Sequence, residues 1–144
     1  PGVPSLYHGS EWGIEGRKVH GNDGPLRPAI DPARHVPLGG SRELFDAIRR
    51  LARLRRESKA LRYGSYRQLH VGPRQFVFMR ECEGEKVVVA LNSDSSPQVV
   101  SLPSSDLAGS VLTDILNPGG DFLSVNGHLE VKLYPNWARV LRSV

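Results

Sequence analysis

Disulfide chemistry within the chain is ruled out at once, because Cys82 is the only cysteine in 144 residues. The same scarcity removes every closed zinc site built on two or more thiolates. It also leaves the compartment unmarked by redox chemistry. Lysine is rare as well, so the net charge of +4 rests on 15 arginines against 4 lysines and 15 acidic residues. That excess is modest and keeps nucleic acid only as a rival partner. No apolar run approaches the ~20 residues that a membrane span requires. The sequence as it stands opens on Pro1 and shows neither an initiator methionine nor a signal-peptide pattern. A chain that opens on Pro1-Gly2-Val3-Pro4 is expected to be a piece of a longer protein. What remains, 39% hydrophobic and 24% charged residues, is the composition of one packed domain, or of a small domain with an extension.

The strongest local signal runs from Gln75 to Asn92. Phe76, Val77, Phe78 and Met79 precede Glu83-Gly84, and Val87 to Leu91 follow it. β-Branched and aromatic runs around a short glycine link read as a hairpin. The second run is apolar on both faces, which predicts a central, doubly covered strand. Further short β-like runs are Tyr63–Val71, Gln98–Leu102, Ser110–Leu116, His128–Leu133 and Ala138–Val144. Gly72-Pro73, Asn117-Pro118-Gly119-Gly120 and Asn126-Gly127 separate several of them. Seven short strands at this spacing predict a mainly β fold, an antiparallel Greek-key sandwich.

Before the strands, Pro1 to Gly40 are rich in glycine and proline and show no period of 2 or 3.6. Val3, Leu6 and Tyr7 suit the end of one short strand. Long irregular loops are often functional. Ser41 is a good N-cap, Gly39-Gly40 break the chain before it, and Glu43 suits a first turn. Leu44, Ile48, Leu51 and Leu54 then recur at helical spacing, with Phe45 and Ala52 widening the stripe. Arg53, Arg55, Arg56 and Lys59 fall at the end, where the helix dipole favours cations. No aromatic residues interleave with them, which favours a solvated face over a nucleic-acid surface.

Two constellations in the loop bear on chemistry. His8, Glu11, Glu15, His20 and Asp23 are metal-competent types, but their spacing matches no closed zinc or calcium pattern. Nothing marks two of the carboxylates as a glycosidase pair. In the second constellation, Asn22-Asp23-Gly24-Pro25-Leu26-Arg27-Pro28, an acceptor and a forked donor stand four residues apart. Sugar hydroxyls suit such a pair, because each donates and accepts. The competing reading is an Asp23–Arg27 ion pair that only shapes the loop.

The opening Pro1-Gly-Val-Pro-Ser-Leu-Tyr-His-Gly-Ser-Glu-Trp-Gly-Ile-Glu-Gly16 resembles the segment around the eighth strand of α-amylase family glycoside hydrolases. Tyr7, Gly9, Glu11, Gly13 and Gly16 agree with that pattern, while His8 stands for a usual tyrosine and Ser10 for a usual acid. Leu51 to Glu57 with Ala60-Leu61-Arg62-Tyr63-Gly64 is similar to the last barrel helix and its exit. The hairpin is similar to the first one of the family's C-terminal sandwich.

The resemblance implies residues 1–60 as the end of a (β/α)8 barrel, comprising strand 8, a substrate loop and the last helix. It implies residues 61–144 as the C-terminal β-sandwich. Asp23 and Arg27 become the substrate-binding residues, for glucose units of an α-glucan or oligosaccharide. The catalytic carboxylates become those of strands four, five and seven, all preceding Pro1, so the chain carries none. No cofactor or metal is implied. The partners implied are the missing N-terminal barrel portion, or self-association to cover the apolar faces; nucleic acid and membrane are not among them. Two rivals remain: a basic interaction domain, and a stand-alone carbohydrate-binding module. The module requires exposed aromatic platforms, for which Tyr66, Tyr134 and Trp137 are candidates that the sequence favours as core residues.

Overall fold

The computed structural model describes residues 2–31, 33, 40–103, 105–107 and 110–143. They form two compact units, Pro1–Ala52 and Arg53–Val144.

In the second unit, β2 (Gln75–Cys82) and β3 (Glu85–Asn92) form the expected hairpin in unbroken register from Gln75 opposite Asn92 to Cys82 opposite Glu85. Glu83 and Gly84 have φ of 51° and 85°, the left-handed pair whose twist matches the flanking strands. Around the hairpin stand β1 (Ser65–Val71), β4 (Gln98–Pro103), β5 (Val111–Asp114), β6 (Asp121–Val125), β7 (His128–Leu133) and β8 (Trp137–Ser143). All pairings are antiparallel, in the order β1-β2-β3-β8-β5-β6-β7-β4. β8 returns beside β5 after the β5-β6-β7 meander, which is the Greek-key path. Met79, Val88 and Leu141 from one part of the sheet share a core with Leu102, Leu129 and Val131 from the other, so the sheet folds over as a sandwich.

Two expectations about the strands change. β6 is an eighth strand that the sequence reading passed over, because Asn117-Pro118-Gly119-Gly120 reads as one long loop running to Asn126-Gly127. The cue was there: Asn126 (φ 51°) and Gly127 (φ 75°) form a second hairpin turn of the Glu83-Gly84 kind. At the other boundary, the expected start of the first strand at Tyr63 belongs to helix α2 (Lys59–Tyr63); β1 begins at Ser65. The predicted Val144 end of the last strand lies outside the described residues.

The double coverage expected of β3 is real, and α2 supplies half of it. Val88 and Ala90 face the main core, while Val87 packs on the other face with Ala60 and Val140. α2 is pinned there by several bonds. Ser58 caps it by accepting from the Leu61 N–H at 3.1 Å, and Glu85 accepts from the Ala60 N–H at 2.9 Å. At its exit the buried Arg80 donates to the carbonyls of Gly64 and Ser65. A Cβ on Gly64 would stand 2.5 Å from the Ala60 carbonyl oxygen, so glycine is required at that exit.

Asp114, at the end of β5, is 1% exposed. It accepts from the backbone N–H groups of Leu116, Asn117 and Val140, from the Asn117 amide, and from Arg139 at 2.8 Å. Arg139 also donates to the Lys132 carbonyl, and its guanidinium lies over Phe122 and Tyr134. One carboxylate therefore ties β5, β8 and the turn after β5 together.

The aromatic candidates are not core residues, contrary to the sequence reading. Tyr66, Tyr134 and Trp137 are 40%, 47% and 38% exposed. Each lies near the rim of the sandwich, where aliphatic side chains already fill the interior.

The first unit is built differently. Gly9 and Gly13, both left-handed, bracket a single 3-10 turn at Ser10–Trp12, and a second such turn covers Gly24–Leu26. Helix α1 runs Gly40–Glu57 and stacks Phe45 on Trp12 within this unit. It begins one residue before Ser41, which sits inside the first turn instead of capping it; Gly39 lies outside the described residues. None of its described side chains is buried, and Leu44 and Leu51 of the expected apolar stripe are exposed. Arg42 and Arg49 pair with Asp46, and Arg53 with Glu57, so part of the basic face is neutralised within the helix. Val3, Leu6 and Tyr7 form no strand and are exposed, since no other strand is described in this unit to pair with them.

Two outcomes follow from this architecture. Asp114→Ala leaves the Arg139 cation half-buried without its partner and should cost about 3–5 kcal/mol in urea unfolding. Arg139→Ala should cost less, because Asp114 keeps its backbone donors, and the double variant should cost less than the sum. Additive losses would show that the two residues act separately. In hydrogen exchange, amides of β2 and β3 should outlast those of the Gly13–Pro28 loop, because β3 is paired on both sides and the loop orders little buried surface. Equal protection in that loop would contradict this ranking.

Candidate functional site

The loop that carries Asp23 and Arg27 is held by short-range backbone geometry. Gly21 takes φ 73°, which lets the Asn22 N–H reach the Val19 carbonyl at 2.9 Å. The Asn22 side chain then accepts from the Gly24 N–H at 2.8 Å, a local turn typical of asparagine. Asp23 and Gly24 carbonyls accept from the Leu26 and Arg27 N–H groups, and Pro25 presets the φ of the 3-10 turn. Gly16 passes so close to this turn that a Cβ there would lie 2.3 Å from the Pro25 carbonyl oxygen. The irregular segment through Gly16 and the Asp23–Arg27 turn are thereby packed backbone to backbone.

The structure does not join Asp23 to Arg27. Asp23 faces Lys18 at 3.6 Å, with both side chains well exposed, a pair worth roughly 0–1 kcal/mol. Arg27 instead donates from Nε to the Tyr7 hydroxyl at 3.1 Å and lies 5.8 Å from the Tyr7 ring centre. That bond raises the Arg27 pKa above its ordinary value, with the charge interaction with Tyr7 adding to it. The guanidinium is thus bonded to the phenol through Nε, with its other donors directed elsewhere. The ion-pair account of the loop therefore fails on geometry, and two separate polar groups are presented.

The sequence names Tyr7 only as a motif position and His8 only as a metal-competent type and a motif departure; it does not show that they meet Arg27 and Pro28. His8 Nε2 lies 2.9 Å from the Pro28 carbonyl, which anchors the segment after Arg27 to the segment around Tyr7. An open cavity of about 620 Å³ is lined by Ser5, Leu6, Tyr7, His8, Arg27 and Pro28 with Ala29. It combines apolar walls with a fixed cation, a phenol and an imidazole, a surface suited to a neutral polyhydroxylated ligand. The signal that could have found Tyr7 was its place in the same motif as Gly9 and Glu11. Of the two predicted substrate-binding residues only Arg27 lines this cavity; Asp23, Glu11, Glu15 and His20 do not. Among the described residues no three of His, Cys, Asp and Glu come together in a way that could hold a metal ion.

Comparison with known proteins gives this geometry its context. Residues 66–137 match the family described as maltogenic amylase, C-terminal domain. The cyclomaltodextrinase of Thermoanaerobacter pseudethanolicus is 31% identical over 101 residues, covering 70% of this chain and 16% of that protein. The cyclomaltodextrin glucanotransferase of Niallia circulans is 32% identical over 133 residues, covering 89% of this chain and 17% of that protein. Among solved structures, the α-amylase of Anoxybacillus superposes with a TM-score of 0.82 at 28% identity, covering all of this chain and 29% of that one. The α-amylase of Geobacillus thermoleovorans, solved with acarbose, gives 0.83 at 26% identity, over 100% of this chain and 30% of that one. The chain thus spans about a sixth of the curated relatives it matches. By the family match across the sandwich, the chain belongs to the α-amylase family and is a C-terminal domain of that family.

Proposed function

We propose that the chain is the C-terminal part of a retaining glycosidase or transglycosidase acting on α-linked glucans. It supplies one edge of the substrate groove together with a stabilising β-sandwich. The observation that carries this reading is the Tyr7–Arg27 bond at the wall of an open cavity, in a chain whose relatives are by name a cyclomaltodextrinase, a cyclomaltodextrin glucanotransferase and an α-amylase. Residues 1–60 form the end of the barrel, with Asp23 and Arg27 binding glucose units, and residues 61–144 form the sandwich domain. The nucleophile and the acid/base carboxylate of double displacement come from the barrel portion outside this chain. The uncovered apolar stripe of α1, with Leu44 and Leu51 exposed, supports a partner there. The missing barrel portion fits that role, and a second copy of the chain is the substitute when it is absent.

On this reading the chain's work is positional. A cationic fork with one nitrogen fixed by Tyr7 keeps its remaining donors for sugar hydroxyls, and little conformational entropy is lost when a ligand arrives. Asp23, held only by an exposed Lys18, can exchange that partner for a hydroxyl at low cost.

Assayed alone, the chain should not hydrolyse starch, maltodextrin or an aryl α-glucoside above background. Turnover that survives repurification and disappears in Glu11→Ala or Asp23→Ala would place the active site inside this chain. In the enzyme containing the barrel, Arg27→Ala should lower kcat/KM on long oligosaccharides by about one to two orders of magnitude, since a charged hydrogen bond is worth roughly 1.5–3 kcal/mol. Short aryl glucosides, which do not reach that subsite, should be affected less. Equal loss at every substrate length would assign Arg27 to holding the Tyr7 segment instead of binding sugar.

A further inference from the structure

We propose that the turn from Tyr134 to Trp137 is a second carbohydrate-binding site, which takes an α-linked glucan chain on the sandwich itself. The site belongs to the second compact unit, whereas Asp23 and Arg27 belong to the first. The choice of an α-glucan rests on the function proposed above.

Large aromatic side chains are normally the most profitable to bury, and a free indole face in water is costly. Trp137 and Tyr134 are nevertheless both exposed, next to each other, with ring centres 5.8 Å apart and planes at 88°. Their backbone is fixed from beneath. Asn92, 3% exposed, donates from its amide to the Tyr134 carbonyl at 2.9 Å and to the Ser96 carbonyl at 3.0 Å. It accepts from Gln75 and from the Asp94 N–H, so every bonding position of its side chain is used. The Asn136 N–H then donates to the Asp94 carbonyl at 2.9 Å, and Asn136 itself adopts φ 49°. A buried polar group spent on locking a turn that presents two exposed rings gives a preformed surface, for which a ligand need freeze little.

The surroundings match a pyranose. Its C–H faces are apolar and stack on an aromatic ring, while its hydroxyl rim needs donors and acceptors. Lys132, exposed, places its ammonium 5.8 Å from the Tyr134 ring centre, and the exposed Asn136 offers an amide on the same turn. Arg139 is committed to Asp114 and to the Lys132 carbonyl, and with its guanidinium 5.7 Å from the Tyr134 ring centre it holds that ring instead of recruiting ligand, which leaves the Trp137 indole as the main stacking surface.

The right angle between the rings narrows the ligand. A flat β-linked glucan ribbon presents successive rings nearly coplanar and needs a flat row of aromatics. An α-linked glucan coils, so successive glucose units turn relative to one another and can meet two surfaces that form a corner. The Tyr134–Trp137 corner suits the coiled chain.

Titration of the 144-residue chain with maltoheptaose, followed by amide resonances, tests this directly. Shifts are expected at Tyr134, Asn136, Trp137 and Asp94, with a dissociation constant on the order of 1 mM for so small a contact. Cellohexaose at the same concentrations should leave them in place. Trp137→Ala should weaken binding at least tenfold and Trp137→Phe less, while Arg27→Ala should retain the shifts at the turn. Because the wild-type map alone locates the ligand, the test stands even if a Trp137 variant is poorly folded. Shifts confined to Tyr7, Asp23 and Arg27 would overturn this site while leaving the proposed function intact. Absence of any shift at saturating sugar would also overturn it, and equal binding of cellohexaose would overturn the α-glucan assignment. The substrate-length experiment on Arg27→Ala reads a different unit, so its failure would not imitate any of these outcomes.

Discussion

A buried carboxylate sets the architecture of the sandwich. Asp114 carries five donors on two oxygens, and those donors come from the turn after β5 and from β8. Burying an ion is expensive unless nearly every lone pair is used, and here they are. The consequence is positional. β8 must insert between β3 and β5 for Val140 and Arg139 to reach Asp114, and that insertion is what makes the topology a Greek key. Arg139 then extends the constraint outward, since its guanidinium also fixes the Lys132 carbonyl and lies against Phe122 and Tyr134. An interaction deep in the sheet thereby determines the geometry of the exposed rim.

The same logic operates on the opposite face of the hairpin. β3 has apolar residues on both sides, so a single core leaves Val87 and Val89 uncovered. The short helix α2 solves this, and its position is held by Ser58, Glu85 and Arg80 instead of by helical length. Lys59 adds an exposed bond of 2.6 Å to Glu83 in the hairpin turn. That bond holds the Glu83 carboxyl below its ordinary range, so its support is present above the unfolded carboxylate pKa and fades as pH falls through the folded one. Five residues would not form a stable helix in isolation; packing and capping make this one.

The elements legible in the sequence were those with a strong local signal. Glu83-Gly84 between two apolar runs specified hairpin, register and centrality together, and the β runs with their glycine and proline links gave the fold class. β6 is hard to see because Asp121–Val125 is short and three of its five residues face solvent, so its alternation is masked by the glycine-rich stretch before it. α2 was lost because its five residues carry no period, and only the contacts of Ala60 with Val87 and Val140 define it. Asp114 was invisible as a key residue for a related reason. Its role depends on Arg139 and Val140, which are distant in sequence, and an aspartate at a strand end looks like ordinary turn chemistry.

For the loop, sequence spacing suggests a relation between Asp23 and Arg27 that the structure does not show. Asp23 and Arg27, four apart, suggest a pair, but spacing of four brings side chains together only on a continuous α-helix. Gly24-Pro25-Leu26 makes a 3-10 turn instead, and Arg27 leaves it with φ −135°, directing the chain elsewhere. Arg27 then meets Tyr7, twenty residues away, a partner that only the fold can bring near. The turn thus separates acceptor from donor. Two charged residues locked to each other would present one neutral surface, whereas an aspartate facing an exposed lysine and an arginine bonded to a phenol present two distinct groups.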